Sequence, residues 1–232
     1  PTQHESARLG GLADGEPGGI TVAPGYRLEA VVPPGPTAAA PFDTVVTPDG
    51  EIVMAGTGGR LVRLAGDGFE KLSAPNGMNF ECTNDGTFWY YNFPDGRLYR
   101  WRRGAGEEDV AELPEAYTDG SIAVTPDGRS VYIAWWIRDV DPAKERSALY
   151  RYSAGGGLVK LFDMPEGVFL RAVEATSSGE LYLATTEGLD RVIGERREAV
   201  YRDAALHVAS DGLTSDRAGN LYFTALLGDR QG

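Results

Sequence analysis

The chain reads as an all-β protein, a β-propeller built from four-stranded blades, and three observations predict it. One unit recurs five times, its turn glycines Gly50, Gly86, Gly128, Gly179 and Gly219 lying 36, 42, 51 and 40 residues apart. Intervals of that size mark an array of supersecondary units rather than a single irregular sheet. Each copy carries short apolar runs with strand alternation, and no stretch of useful length has apolar residues at helical spacing.

The unit is a short apolar strand, a turn ending in glycine, a second strand, another turn and a third strand. An Asp-Gly, Ser-Gly or Ala-Gly pair closes the first turn and supplies the positive φ that a tight hairpin needs. The second strands are EIVMAG, TFWYYN, SVYIAWW, ELYLAT and NLYFTA. Third strands follow at GRLVRL (59–64), GRLYRW (96–101), SALYRY (147–152) and GLDRVI (188–193). In the first three, Leu with Val or Tyr interleaves with Arg, which is the pattern of a strand with one wet face. Fourth strands are expected at FEKLSA, EDVAEL, LVKLFD and EAVYRD, and four strands per repeat define a propeller blade.

Residues 1–19, rich in Gly and polar groups, read as a flexible leader, and residues 20–232 as the propeller domain. The fifth unit ends after its second strand. Two arrangements close the ring: ITVAPGYRLEAVV (20–32) supplies an outer strand to the last blade of a five-bladed propeller, or the chain is a shortened six-bladed one. An unclosed blade would leave backbone donors and acceptors unpaired at its edge.

Composition removes several functions. Lys and Arg total 22 against 34 Asp and Glu, a formal charge of -12, so the overall field repels a nucleic-acid backbone. No run approaches the roughly 18 apolar residues of a membrane-crossing helix. The chain therefore reads as soluble, with the compartment, cytoplasmic or secreted, left open. Cys82 stands alone and there are two histidines, His4 and His207, which excludes an intrachain disulfide, a thiolate zinc cluster and a three-histidine metal site. The expected partner is a small-molecule substrate or ligand.

DGLTSDRAGNLYFTA (211–225) resembles a segment of the gluconolactonase, senescence-marker-protein and luciferin-regenerating-enzyme family. APNGMNF (74–80) is similar to that family's Pro-Asn-Gly blade start, and DGSIAVTPDGRSVYIA (119–134) to its segment around Ser-Pro-Asp-Gly-Arg. The resemblance implies a propeller whose channel holds one divalent cation and which hydrolyses a lactone or related ester. It implies Asp211 as a metal ligand and general base, with Asn76 and Asp119 near the positions of the family's asparagines. The family's Glu-Gly-Pro start has no counterpart here, because APFDTVV places Phe42 or Asp43 there. Yellow and major-royal-jelly proteins have similar Asp-Gly blade starts, so a non-catalytic ligand-binding propeller is the alternative, and an isomerase or cyclase a further one.

The residues also support a cation site without the family. Oxygen-bearing side chains at successive inner-strand starts, Asp43, Asn76, Asp119 and Asp211, would converge on one axial point and suit Ca²⁺. The competing role is capping, in which each Asp or Asn bonds the backbone of its own turn. A bound cation would polarise a lactone carbonyl and acidify a water while Asp211 took the proton. Trp89, Tyr91, Trp135 and Trp136 either pack between blades or wall an apolar pocket for a ring-shaped substrate. WWIRDVDPAKERSALY (135–150) is charged and contains proline, and reads as a long loop.

Overall fold

A computed structural model describes residues 43–55, 60–66, 68–76, 79–92, 96–113, 119–137, 141, 144–202 and 206–227. For residues 60, 73–76, 119, 206–211 and 224–227 it describes the backbone alone. The leader and ITVAPGYRLEAVV lie outside these residues.

The described chain is all strand and turn. Blade 1 comprises β1 (Asp43–Val46), β2 (Ile52–Ala55), β3 (Arg60–Ala65) and β4 (Gly68–Asn76). Blade 2 comprises β5 (Asn79–Cys82), β6 (Thr87–Asn92), β7 (Arg97–Arg102) and β8 (Gly106–Glu112). Blade 3 comprises β9 (Asp119–Val124), β10 (Ser130–Ile137), β11 (Arg146–Ser153) and β12 (Gly157–Asp163). Blade 4 comprises β13 (Leu170–Ala175), β14 (Leu181–Thr185), β15 (Gly188–Ile193) and β16 (Arg196–Arg202). The fifth unit contributes β17 (Leu206–Ser215) and β18 (Leu221–Leu227). Each blade is an antiparallel meander in chain order, and the fifth unit is a two-stranded sheet among the described residues. The first strands β1, β5, β9, β13 and β17 stand side by side in sequence order, the arrangement of a propeller around its channel. The expected third and fourth strands are all present. The supposed loop at 135–150 is strand at both ends, because β10 runs on through Trp135–Ile137 and β11 begins at Arg146.

The five glycine turns share one hydrogen-bond plan. In blades 1 to 3 a Thr opens the turn and its hydroxyl donates to the Asp two residues on: Thr47 to Asp49 at 2.5 Å, Thr83 to Asp85 and Thr125 to Asp127 at 2.6 Å. Blade 4 replaces the Asp with Ser178, and the fifth unit replaces the Thr with Asp216. The closing glycine amide donates back to the opening carbonyl in all five, at 2.8–3.0 Å. Each closing glycine has positive φ, between 67° and 85°, as side-chain-bearing residues rarely do.

The second strands β6, β10 and β14 are buried on both faces, which is why TFWYYN and SVYIAWW read as unbroken apolar runs. Along β6, Phe88 and Tyr90 join Val53, Leu61 and Leu72 of blade 1, while Trp89 and Tyr91 join Ile133, Trp135 and Tyr150 of blade 3. Ala123, Ala134 and Leu149 of blade 3 meet Val173, Leu181 and Leu183 of blade 4. Ala172, Ala184 and Leu189 of blade 4 meet Leu213 of the fifth unit. Core thus alternates with sheet around the ring. The wet face of the third strands is satisfied by the fourth: Arg63 pairs with Glu70, Arg97 with Asp109 and Glu112, and Arg100 with Glu108.

The third strand of blade 4 lacks that arginine pattern for a reason visible in the packing. Asp190 is fully buried and is held by Arg197 and Arg202 of β16. A charge withdrawn from water is tolerable only with such multiple charge-assisted partners. Gly188, two residues earlier, has φ +136°, and a Cβ there would stand 2.2 Å from the Tyr201 carbonyl oxygen. Gly188→Ala is therefore expected to cost about 2 kcal/mol or more, a fall in Tm of roughly 4–8 °C. Gly155→Ala, where nothing lies within 4 Å, should leave the thermal melt in place.

Candidate functional site

The channel wall is made by first strands that belong to separate sheets. Their inward edges have no backbone ladder to join, so side chains make the link from one blade to the next. Asp43 Oδ2 on β1 accepts the Phe80 amide of β5 at 3.0 Å. Asn79 on β5 donates to the Gly120 carbonyl of β9. Ser121 Oγ on β9 accepts the Val173 amide of β13 at 3.3 Å. Ser215 Oγ on β17 donates to Glu174 Oε1 of β13 at 2.5 Å. Asp43, Asn79 and Ser121 each lie seven residues before their turn glycine, so three residue types do one job at one position.

Two carboxyls of this wall were not anticipated as site residues. Glu81 on β5 and Glu174 on β13 are half-buried, and each lies five residues before its turn glycine. Aligning the repeats on those glycines would have found them, since Val45, Ala123 and Thr214 fill the same position elsewhere. Burial pushes the Glu81 carboxyl well above the usual range, and the negative charges of Glu174 and Asp43 push it further. Burial also raises Glu174, against hydrogen bonds from the Ser215 side chain and backbone that pull it down. Asp43 is raised to about 6 by burial, against the amides of Phe80 and Thr44. The charges of Asp43 on blade 1 and Glu174 on blade 4 thus both act on Glu81 of blade 2.

The sequence-predicted residues are distributed as follows. Asp43 is the first residue of β1, Asp119 the first of β9, and Asp211 lies in β17 where the pairing with β18 shifts register between Val208 and Leu213. These three have inner-strand backbones on three different blades. Asn76 ends the outer strand β4, paired with Arg60, and the inner-strand asparagine is Asn79. Trp89, Tyr91 and Trp135 are buried in the core between blades 2 and 3. Trp136 stacks on Phe169 at 5.5 Å and lies under the Arg171 guanidinium at 4.2 Å. The pocket-wall role proposed from sequence thus falls on residues that fill inter-blade space.

Among the described residues, no three His, Cys, Asp or Glu side chains gather as a metal ligand set. Both Asp43 oxygens already accept backbone amides, Oδ1 from Thr44 at 2.7 Å and Oδ2 from Phe80 at 3.0 Å. What the described channel offers is a set of carboxyls with elevated proton affinity, the property that suits a group to giving and taking protons. No described helix is long and apolar enough to cross a membrane. Surface clefts of blades 1 to 3 lie away from this wall, between turns and third strands near Asp85, Arg100 and Arg102.

Asp43 gives a prediction with a defined sign. Its folded pKa of about 6 exceeds the ordinary 3.8, so the folded state binds the proton more tightly. That contribution to stability is complete below pH 3.8 and is lost as pH rises through about 6. Glu81 and Glu174 shift in the same direction. The Asp43 contribution to wild-type stability should therefore fall as pH rises from 3.8 to about 6, and Asp43→Asn should remove that component, seen as the difference between the two proteins in urea unfolding at a series of pH values.

No family model matches the chain, and no curated protein matches it. Solved structures do. Virginiamycin B lyase from Staphylococcus aureus superposes with a TM-score of 0.59 at 15% identity, over 84% of this chain and 66% of that one. A gluconolactonase from Xanthomonas campestris gives 0.58 at 15% identity, over 78% and 68%. An oligogalacturonate lyase in complex with manganese gives 0.59 at 14% identity, over 83% and 60%. The chain spans about two thirds of the length of these structures. At such identities the likeness establishes architecture, and the chain is a β-propeller of the kind on which gluconolactonases and several lyases are built.

Proposed function

We propose that the channel is the active site of a hydrolase acting on a lactone or related ester, with Glu81 and Glu174 as its acid–base pair. The observation that carries this reading is the pair itself: two half-buried carboxyls on inner strands of different blades, both with raised proton affinity and electrostatically coupled. Ordinary structural carboxylates, such as Asp49, Asp85 and Asp127 in the turns, shift the opposite way because a Thr hydroxyl donates to each. The propeller neighbours that include a gluconolactonase and lyases support the same class of chemistry.

Lactone opening needs one group to take a proton from the attacking water and another to give one to the departing ring oxygen. As water oxygen bonds to the carbonyl carbon, the ionised carboxylate of the pair accepts its proton. When the ring carbon–oxygen bond of the tetrahedral adduct breaks, the protonated carboxyl delivers a proton to the alkoxide. Keeping one carboxyl charged and its neighbour neutral at one pH is the purpose of the elevated values.

A divalent cation, Ca²⁺ first, belongs to this proposal. Asp43, Asp119 and Asp211 bring hard oxygen ligands to the inner strands of three blades, and a cation held among them would polarise the carbonyl. The described carboxyls do not by themselves form its coordination sphere, and the proton transfers above belong to the chain's own residues.

The test is turnover of a panel of aldonolactones and simple δ-lactones, followed by acid release with and without added Ca²⁺. Glu81→Gln and Glu174→Gln should each lower kcat by about 10²–10⁴-fold while leaving the melting curve intact. The wild-type rate should be bell-shaped in pH, rising as the more acidic carboxyl ionises and falling as the other does. Turnover unchanged in both variants would remove the pair from the chemistry, and specific ligand binding without turnover would favour the non-catalytic propeller. Asp211→Ala tests the cation arm, since loss of Ca²⁺ stimulation alone is expected.

A further inference from the structure

We propose that Ser215 is a positioning residue that divides the labour of the pair, holding Glu174 as the carboxylate that takes a proton and leaving Glu81 as the carboxylic acid that gives one. The inference rests on the reading of Glu81 and Glu174 as an acid–base pair. It goes beyond that reading by assigning the two roles and naming the residue that assigns them.

The asymmetry is built into the repeat. Glu81 and Glu174 occupy the same position, five residues before the turn glycine, in blades 2 and 4. The hydroxyl that reaches Glu174 comes from the next unit, at the position four residues before its own turn glycine. There the five repeats carry Val46, Cys82, Val124, Ala175 and Ser215. Ser215 alone has a hydroxyl, and it stands in the unit that follows Glu174. The unit that follows Glu81 places Val124 there, which can donate nothing.

Ser215 Oγ lies 2.5 Å from Glu174 Oε1, spanning from the last residue of β17 to β13. The Ser215 amide donates to Glu174 as well. Glu81 is met by the amide of the adjacent Cys82, and by the charges of Glu174 and Asp43, which oppose its ionisation. Donors aimed at a carboxylate favour its charged form, and neighbouring negative charge disfavours it. The groups around Glu174 are Glu81 from β5, Tyr182, its register partner on β14, and Ser215 from β17. Arg171, on β13 itself, lies over the Trp136 ring. By sequence, β9 and β17 also carry Asp119, His207 and Asp211.

The experiment is a carboxyl-carbon NMR titration of protein labelled at glutamate, with Glu81 and Glu174 assigned by the signals lost in Glu81→Gln and Glu174→Gln. In the wild type Glu174 should titrate below Glu81. Ser215→Ala should raise the Glu174 midpoint by about one to two pH units, and Ser215→Thr, which keeps the hydroxyl, should restore it. The acid limb of the kcat/KM profile should move by the same amount in Ser215→Ala, with KM unchanged. A Glu174 midpoint unmoved in Ser215→Ala, or a Glu81 midpoint below that of Glu174 in the wild type, would overturn the assignment. Because the titration needs no substrate, the two readings fail separately. A shifted Glu174 midpoint without lactone turnover by any variant would uphold Ser215 as positioner and end the hydrolase reading.

Discussion

The structure depends on how inner strands of neighbouring blades are joined. Within a blade every strand has a partner, but the first strand turns one edge to the channel, where no ladder continues. Backbone amides there must find another acceptor, since a desolvated N–H left alone costs about as much as a lost hydrogen bond. Asp43 and Ser121 meet that need by accepting amides of the next first strand, and Asn79 meets the matching need of a carbonyl by donating to Gly120. Between blade 4 and the fifth unit the link is made by side chains at both ends, Ser215 and Glu174. The polar groups that join the described blades are thus also the polar groups that line the channel. Structure and chemistry draw on the same side chains.

Electrostatics follow from that economy. The channel wall carries Asp43, Glu81 and Glu174, and the arginine on their strands, Arg171, lies over the Trp136 ring. Burial holds protons on these carboxyls, and on Glu81 the charges of Glu174 and Asp43 add to it. The turn aspartates Asp49, Asp85 and Asp127 behave differently, because a Thr hydroxyl donates to each and favours its charged form.

Much of this architecture was legible in sequence, because local rules and global fold agree. Turn glycines need positive φ wherever they occur, so Gly50, Gly86, Gly128, Gly179 and Gly219 could be aligned without coordinates, and every one has that conformation. The third strands of blades 1 to 3 followed from the Leu–Arg alternation, and the other third and fourth strands from their place in the repeat. The site was less legible. Attention fell on residues at apparent strand starts, and Asn76 there is the end of β4, whereas Asn79 is the inner-strand residue. Glu81 and Glu174 sit mid-strand, within NFECTNDG and LRAVEATSSG, where one charged residue among apolar ones resembles ordinary alternation. Only the fold, which brings the Glu174 charge to bear on Glu81, gives them a common meaning. Trp89, Tyr91 and Trp135 were conspicuous by size, yet their bulk is what wedge-shaped space between blades 2 and 3 requires.

The interchangeable stitch at the inner strands has an evolutionary consequence. A duplicated blade can exchange Asp for Asn or Ser at that position and still hold its neighbour, because a short polar side chain there reaches either an amide or a carbonyl of the next strand. Selection can then alter the character of the lumen one blade at a time without passing through an unfolded ancestor. Divergence of activity on this scaffold would be gradual, and a designer could follow the same route by shuffling single blades.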